Sequence, residues 1–175
     1  FSGRLPFTYP KYVNKFAVYD YKHSESQGMM SGSYNYNVVM DIQWPFGHGM
    51  SYTAFEYSDM TVSAQEFGAD DVLKVTVDVT NVGAREGKES VLLYSSDLYA
   101  SSTPDVRRLR AFEKVSLQPG ETATIEFEVS AKDLAFVDYY GKWRLEEGDF
   151  ILSVGNLSQK LTCTETVHFE QPNID

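Results

Sequence analysis

Apolar and polar side chains alternate strictly between Leu73 and Thr80, with leucine or valine at every second position. Successive side chains of a β-strand point to opposite faces, so this pattern predicts an antiparallel strand with one buried face. Residues 123–129 repeat the alternation. Shorter or less regular apolar runs predict five further strands, at residues 55–62, 89–95, 107–115, 150–154 and 161–169.

Turn-forming residues separate these predicted strands. Asn-Val-Gly at 81–83, Gln-Pro-Gly-Glu at 118–121 and Glu-Gly-Asp at 147–149 supply residue types that turns favour. In the less regular runs the apolar positions shift by one residue partway along the run, which predicts β-bulges. A helical signal at 131–134 extends over one turn at most. Seven short strands with regular turns predict an all-β chain folded as a seven-stranded immunoglobulin-like sandwich.

Residues 1–53 differ in character from the rest of the chain. They are rich in tyrosine, serine, glycine, asparagine and methionine and show no sustained periodicity, so they do not predict a core of their own. Residues 22–36 predict a long loop, and such loops are usually functional or packed against another surface. We therefore expect an irregular N-terminal segment, residues 1–53, followed by a β-sandwich domain, residues 54–175.

The charge and apolar content of the chain exclude several classes of partner. Lysine and arginine number 15 against 25 acidic residues, which gives a formal net charge of −10. Polyanions are repelled by such a chain, so neither nucleic acid nor an anionic membrane surface is an expected partner. Arg107, Arg108 and Arg110 fall on a predicted strand and indicate a solvated edge. No apolar run approaches the roughly 20 residues that span a membrane.

The titratable residues show no catalytic or metal-binding pattern. His23, His48 and His168 lack the spacings of zinc ligands. The single cysteine, Cys163, alternates with apolar residues and is predicted to be a small core residue. No catalytic residue, metal ligand or cofactor is predicted. Three acidic pairs indicate solvated surface, namely Asp70 and Asp71, Glu126 and Glu128, and Glu146 and Glu147.

Residues 44–52, with the sequence WPFGHGMSY, fit no regular helix or strand. Proline fixes φ, and two glycines separated by one residue suggest backbone that a side chain would forbid. The stretch predicts a connecting turn with an aromatic plug. Residues 45–53 also closely resemble the segment that leads into the C-terminal domain of glycoside hydrolase family 3, which includes β-glucosidases and β-xylosidases.

The resemblance extends over nearly the whole chain. Residues 2–10 (SGRLPFTYP) are similar to the end of the family's α/β-sandwich domain. Residues 79–83 (VTNVG), 108–115 (RLRAFEKV), 117–122 (LQPGET) and 134–138 (LAFVD) are similar to parts of its fibronectin type III-like domain. Their order and spacing together make the chain resemble the C-terminal portion of a family 3 enzyme. The resemblance implies that the predicted sandwich is fibronectin type III-like.

The resemblance implies a role outside catalysis. Family members hydrolyse glycosidic bonds with retention, which requires two carboxyl groups about 5–5.5 Å apart. The family's aspartate nucleophile lies on an (α/β)8 barrel and its acid/base glutamate usually lies on the α/β sandwich, so both are expected upstream and no catalytic residue is carried over. The chain alone is predicted to be inactive and to stabilise the catalytic domains of the same polypeptide. The resemblance also implies a carbohydrate substrate and a periplasmic or extracellular location.

Two sets of residues are candidates for contacts. Flat aromatic side chains suit sugars, so Tyr139 and Tyr140 at a predicted hairpin tip, together with Trp44, are candidate sugar contacts. Trp143 is predicted to fill the core instead. An alternative function is a free-standing immunoglobulin-like module that binds carbohydrate or protein, because a fold does not determine a function. Six residues are predicted to contact the upstream domains: Arg4, Pro6, Trp44, Phe46, His48 and Tyr52.

Overall fold

The structure, a computed structural model, describes residues 2–11 and 42–170. The predicted loop at residues 22–36 lies outside the described residues. Within the described ranges, no helix is long and apolar enough to cross a membrane. The strands are β1 (Tyr9–Pro10), β2 (Ile42–Trp44), β3 (Phe55–Val62), β4 (Glu66–Phe67), β5 (Val72–Asn81), β6 (Gly87–Asp97), β7 (Arg108–Leu117), β8 (Thr122–Ser130), β9 (Phe136–Val137), β10 (Trp143–Leu145), β11 (Gly148–Val154), β12 (Leu157–Cys163) and β13 (Val167–Phe169).

Two sheets face each other across one apolar interior. The larger sheet has the strand order β4-β12-β11-β6-β7, so β7 forms one of its edges, and the smaller has the order β3-β5-β8. A third sheet, β13-β10-β9, and a ribbon of β1 and β2 complete the described strands. Neighbouring strands are antiparallel except β4 and β12, which are parallel. The predicted all-β sandwich is confirmed.

The apolar side of each alternating strand faces the interior. Val77 of β5 and Leu152 of β11 have no exposed surface, and both belong to one core cluster. Phe67 and Phe150 meet edge to face in the same cluster, with ring centroids 5.7 Å apart. Burying a side chain of this size is worth about 1.5–3 kcal/mol. The alternation that predicts the strands therefore also supplies the main driving force that holds the sheets together.

The irregular strands contain the predicted bulges. The pairing of β3 with β5 shifts register between Ser58 and Thr61, where Asp59 has a φ of 51°. The pairing of β6 with β7 shifts between Leu93 and Tyr94. An extra residue in one strand inverts the alternation beyond it, which explains the phase slips in the sequence.

The predicted strand at 161–169 is wrong as a single element. β12 starts earlier, at Leu157, and ends at Cys163, whose thiol is buried in the core as predicted. The chain then turns, because Glu165 is held there by two contacts: its carbonyl oxygen accepts from Cys163 Sγ at 3.2 Å and its carboxylate accepts from Ala69 N at 2.7 Å. β13 starts at Val167 and pairs with β10 in the third sheet.

The prediction of a solvated side chain is wrong for Arg107, Arg110 and Glu146. Arg107 lies over the Tyr94 ring and donates to Phe46 O. The Arg110 Nε donates to Ser95 Oγ at 2.6 Å, and burial lowers the pKa of this guanidinium to about 10. The Glu146 side chain is only 11% exposed, and one carboxylate oxygen lies 2.8 Å from Arg144 Nε. By contrast, Glu126 and Glu128 do lie on the outer face, within 3.5 and 3.1 Å of Lys74 Nζ. Sequence alternation separates the two faces of a strand but does not show which distant residues cover a side chain on the outer face.

One buried amide joins the ends of several strands. Asn81 has no exposed surface, and its Nδ2 donates to Arg85 O at 2.7 Å and to Leu117 O at 2.9 Å. Its Oδ1 accepts from Thr53 Oγ1 at 2.7 Å and from Gly83 N at 3.1 Å. The residue thus satisfies four polar groups, and it attaches the start of the sandwich to the ends of β5 and β7.

Replacing Asn81 by alanine should destabilise the chain by roughly 2–5 kcal/mol, because the substitution removes four hydrogen bonds and leaves buried polar groups without partners. Urea unfolding followed by fluorescence measures the loss. Asn156→Ala, at an exposed turn position, is the matched control and should change the free energy of unfolding by less than about 0.5 kcal/mol. Equal stability of the two variants would contradict the role of Asn81.

Candidate functional site

Residues 2–11 and 42–52 lie side by side, and we call them the N-terminal ribbon. Tyr9 of β1 pairs with Trp44 of β2. Further along, Leu5 N donates to His48 O at 2.8 Å and Gly47 N donates to Leu5 O at 2.9 Å. The two sequence motifs that resemble family 3 enzymes are therefore joined by backbone hydrogen bonds into one structural unit.

A buried carboxylate attaches this ribbon to the sandwich. Glu89 of β6 is 5% exposed and forms an ion pair with Arg4 of the ribbon. The hydroxyl of Tyr57, from the facing sheet, donates to the same carboxylate oxygen at 2.6 Å. Burial, followed by this hydrogen bond, raises the pKa of Tyr57, so its hydroxyl remains a donor at physiological pH. The Arg4 Nη1 also donates to Gly47 O at 3.4 Å, which links both halves of the ribbon to Glu89.

Phe46 is a second attachment point. Its ring is 6% exposed and meets the Tyr94 ring edge to face, with centroids 5.9 Å apart. Arg107 lies over the same Tyr94 ring, with its guanidinium carbon 4.5 Å from the centroid, and its Nη2 donates to Phe46 O at 3.0 Å. A cation over an aromatic face contributes about 0.5–2 kcal/mol, depending on its exposure. The predicted aromatic plug is thus Phe46, and it is inserted against β6.

Gly47 permits this close approach. Its φ is +80°, and a Cβ added there would lie 2.2 Å from the Tyr94 hydroxyl oxygen. A side chain at this position would meet both a steric clash and the cost of left-handed backbone.

The outer side of the ribbon presents a row of neighbouring rings. We define the aromatic row as Phe7, Tyr9, Trp44 and His48. Neighbouring ring centroids are 6.2, 5.2 and 6.1 Å apart along this order. Phe7, Tyr9 and Trp44 are 36%, 43% and 37% exposed. One face of the ribbon is therefore attached to the sandwich, while the other carries partly exposed apolar rings.

The structure separates the six predicted interdomain residues into two groups. Arg4 and Phe46 contact the sandwich itself. Pro6, Trp44 and Tyr52 are exposed, and His48 stacks on Trp44. Contact between these residues and upstream domains stays a prediction.

The predicted sugar contacts occupy two different elements. Tyr139 and Tyr140 are 95% and 81% exposed at the tip between β9 and β10, with ring centroids 5.6 Å apart. Asp138 fixes this tip by accepting from Tyr140 N at 2.9 Å and Lys142 N at 3.0 Å. Trp44 belongs to the aromatic row instead. Sugar binding at these side chains stays a prediction.

Sequence reasoning missed the residues that anchor the ribbon: Tyr57, Glu89, Tyr94 and Arg107. A signal for Glu89 was present. It occupies the same phase of β6 as the buried Val91 and Leu93. A charged residue in the apolar phase of a strand indicates a buried charge, which requires a partner of opposite sign. Among the residues that the structure describes, no group of three or more His, Cys, Asp or Glu side chains is placed to hold a metal ion.

Comparison with known proteins places this arrangement in a family. Residues 89–158 match the model of the fibronectin type III-like domain. The lysosomal β-glucosidase of Dictyostelium discoideum is 40% identical over 166 residues, which cover 89% of this chain and 19% of that protein. The periplasmic β-glucosidase of Salmonella typhimurium is 34% identical over 162 residues, which cover 88% of this chain and 21% of that protein.

Structural comparison agrees. A solved structure of a β-glucosidase from Erythrobacter marinus has a TM-score of 0.77 at 30% identity, over 93% of this chain and 22% of that one. This chain corresponds to the C-terminal portion of a family 3 glycoside hydrolase. It spans about a fifth of the length of the relatives that it matches. The family resemblance and the fibronectin type III-like domain predicted from the sequence are confirmed.

Removing the Glu89 carboxylate should weaken the attachment of the ribbon. Glu89→Ala leaves Arg4 and the Tyr57 hydroxyl without their shared partner, and breaking such a buried pair costs about 3 kcal/mol. Urea unfolding measures the loss, and hydrogen exchange at Leu5 and Gly47 shows whether the ribbon detaches. Glu86→Ala, at an exposed position, is the control. Unchanged exchange at both amides in Glu89→Ala would refute the anchoring role.

Gly47→Ala should be more destabilising than Gly120→Ala. Both glycines have left-handed φ angles, of +80° and +77°, but a Cβ at Gly120 meets no atom within 4 Å. Both variants therefore have the same backbone strain, whereas Gly47→Ala adds an overpacking cost of about 1–3 kcal/mol. Thermal unfolding of the two variants measures the difference. Equal melting temperatures would show that Tyr94 and the ribbon do not pack closely.

Proposed function

We propose that this chain is the non-catalytic C-terminal part of a retaining β-glycosidase of the β-glucosidase type, and that it stabilises the catalytic domains of the same polypeptide. The observation that carries the proposal is the ribbon, which is attached to the sandwich on one side and carries the partly exposed aromatic row on the other. The catalytic domains hydrolyse O-glycosidic bonds of a carbohydrate. The periplasmic and lysosomal names of two relatives support a location outside the cytosol, in the periplasm or the cell exterior.

The attachments of the ribbon prepare the aromatic row for docking. Docking a flexible segment costs about 0.5–1.5 kcal/mol for each side chain that becomes ordered. Here Arg4 and Phe46 hold the backbone beneath Trp44 before any partner arrives. Each ring buried on docking then contributes about 1.5–3 kcal/mol. A ribbon ordered in advance converts more of that burial into net stability of the assembled enzyme.

The same contacts support a division of the chain at residue 53. The Thr53 hydroxyl donates to Asn81 inside the sandwich, and β3 starts at Phe55. We assign residues 1–53 to the tail of the α/β-sandwich domain and the connecting segment, and residues 54–175 to the fibronectin type III-like domain. In this assignment Glu89 connects the two parts, because Arg4 lies on one side of the division and Tyr57 on the other.

The proposal predicts that the chain complements the upstream polypeptide of its parent enzyme. We expect the rate of aryl β-glucoside hydrolysis by the upstream piece to appear or rise when the chain is added. Trp44→Ala in the chain should weaken the complementation, measured as the concentration giving half-maximal activity, by roughly 5- to 100-fold, as expected for an aromatic anchor.

The control variant is Tyr99→Ala. Tyr99 is 79% exposed and lies outside the ribbon, so its truncation should leave the half-maximal concentration unchanged. An upstream piece that is fully active and equally stable alone would overturn the proposal and favour the free-standing binding module. Complementation that is insensitive to Trp44→Ala would place the contact elsewhere on the chain.

A further inference from the structure

A cavity of about 250 Å³ opens where the larger sheet approaches the third sheet. Residues near the end of β6 and the start of β7 form one wall, and β9 and β10 contribute the other. This volume is close to the lower end of the range found for small-molecule sites. The polar and aromatic side chains that line it include Ser95, Asp97, Asp105, Arg108, Arg110 and Trp143.

Arg110 supplies hydrogen-bond donors to this cavity. Its Nε donates to Ser95 Oγ at 2.6 Å, which fixes the guanidinium against β6. Among the described residues, no hydrogen bond joins its two terminal nitrogens to protein. A guanidinium carries five N–H donors in a rigid fork. Arg110 can therefore offer several parallel donors to a ligand in the cavity while its stem stays in place.

Asp97 supplies acceptors on the same wall. Its Oδ1 accepts from Tyr99 N at 3.2 Å. Burial raises the pKa of this carboxyl to about 6, so the group is ionised at neutral pH although it is partly removed from water. A carboxylate with reduced hydration gains from ligand hydroxyl groups that donate to it.

The charges that line the cavity balance, which selects the class of ligand. Arg108 and Arg110 carry two positive charges, and Asp97 and Asp105 carry two negative charges; Arg108 Nε lies 3.4 Å from Asp105 Oδ2. An anion would be repelled by the carboxylates and a cation by the guanidinium groups. A neutral ligand with adjacent hydroxyl groups fits better, because each hydroxyl both donates and accepts a hydrogen bond.

Trp143 adds an apolar surface and extends the site. The sequence predicts it as core, but it lies half-buried at the edge of the core and lines the cavity. A neighbouring cavity of about 360 Å³ shares Arg108, Arg110 and Trp143 and adds Phe169. We call the two cavities together the trough, and the same three side chains line both. This arrangement suits a ligand of more than one ring with hydroxyl edges and apolar faces.

We propose that this trough binds a saccharide of one or two sugar units, with Asp97 and Arg110 bonding its hydroxyl groups and Trp143 contacting an apolar ring face. The site differs from the aromatic tip of Tyr139 and Tyr140. It is a binding function of the fibronectin type III-like domain itself and requires no docking of the ribbon.

Titration of the 175-residue chain with cellobiose tests the proposal, using calorimetry and the indole N–H resonance of Trp143. We expect saturable binding in the millimolar range and a shift of that resonance. Asp97→Asn should lower the affinity about tenfold, because it replaces a charged acceptor. This variant keeps the size of the side chain and removes a partly buried charge, so it should fold, and its thermal unfolding checks this. Phe112→Ala, an exposed aromatic truncation on β7 that does not line the trough, should bind like the parent.

Several results would overturn the proposal. One is cellobiose binding that disappears in Tyr139→Ala/Tyr140→Ala but persists in Asp97→Asn, which would place the site at the hairpin tip. Another is saturable binding of inorganic phosphate without any binding of cellobiose, which would identify an anion site. No saturable binding of cellobiose by a folded chain would exclude a saccharide site in the trough.

Discussion

The attachment of the N-terminal ribbon to the sandwich depends on the contacts of the buried Glu89 carboxylate. A charge that is removed from water is tolerated only when opposite charge and hydrogen bonds compensate for the lost hydration. Arg4 and Tyr57 provide that compensation from two directions, one from the ribbon and one from the facing sheet. Without the ribbon, the buried charge of Glu89 would destabilise the sandwich. The need to compensate this charge therefore determines where Arg4 and the ribbon bind. Ordinary apolar packing would hold the ribbon less specifically.

This contact explains why two stretches far apart in sequence act as one surface. Arg4 donates to Gly47 as well as pairing with Glu89, and Phe46 is inserted beside Tyr94. The backbone between them can approach β6 so closely because Gly47 has no side chain. The aromatic row is thus carried by a backbone whose position is determined by two contacts. One is the ion pair of Arg4 with Glu89, and the other is the close packing of Gly47 against Tyr94.

The sequence was sufficient to predict the strands of the sandwich but not the contacts that attach the ribbon to it. Strict alternation in β5 and β8 predicts those strands because few secondary structures other than a half-buried strand fit an uninterrupted period-two pattern. The same rule fails after Cys163, where a contact to Ala69, distant in sequence, turns the chain. It also fails for Arg110 and Glu146, since local pattern carries no information about their contacts with Ser95 and Ser101. The motif residues Arg4 and Phe46 could be found from family resemblance, whereas Arg107 and Tyr94 required three-dimensional proximity.

The edge strand β7 of the larger sheet has a consequence for contacts between two copies of this chain. β7 pairs with β6 and, among residues 2–11 and 42–170, has no second neighbouring strand, so its other edge could pair with a strand from a second copy. Charged residues at 113 and 114 follow the exposed Phe112 on this strand, and the bulge at Leu93 and Tyr94 twists the pair locally. A second copy would have to dehydrate those charges and match that twist. Edge-to-edge association of two chains through β7 is thereby disfavoured.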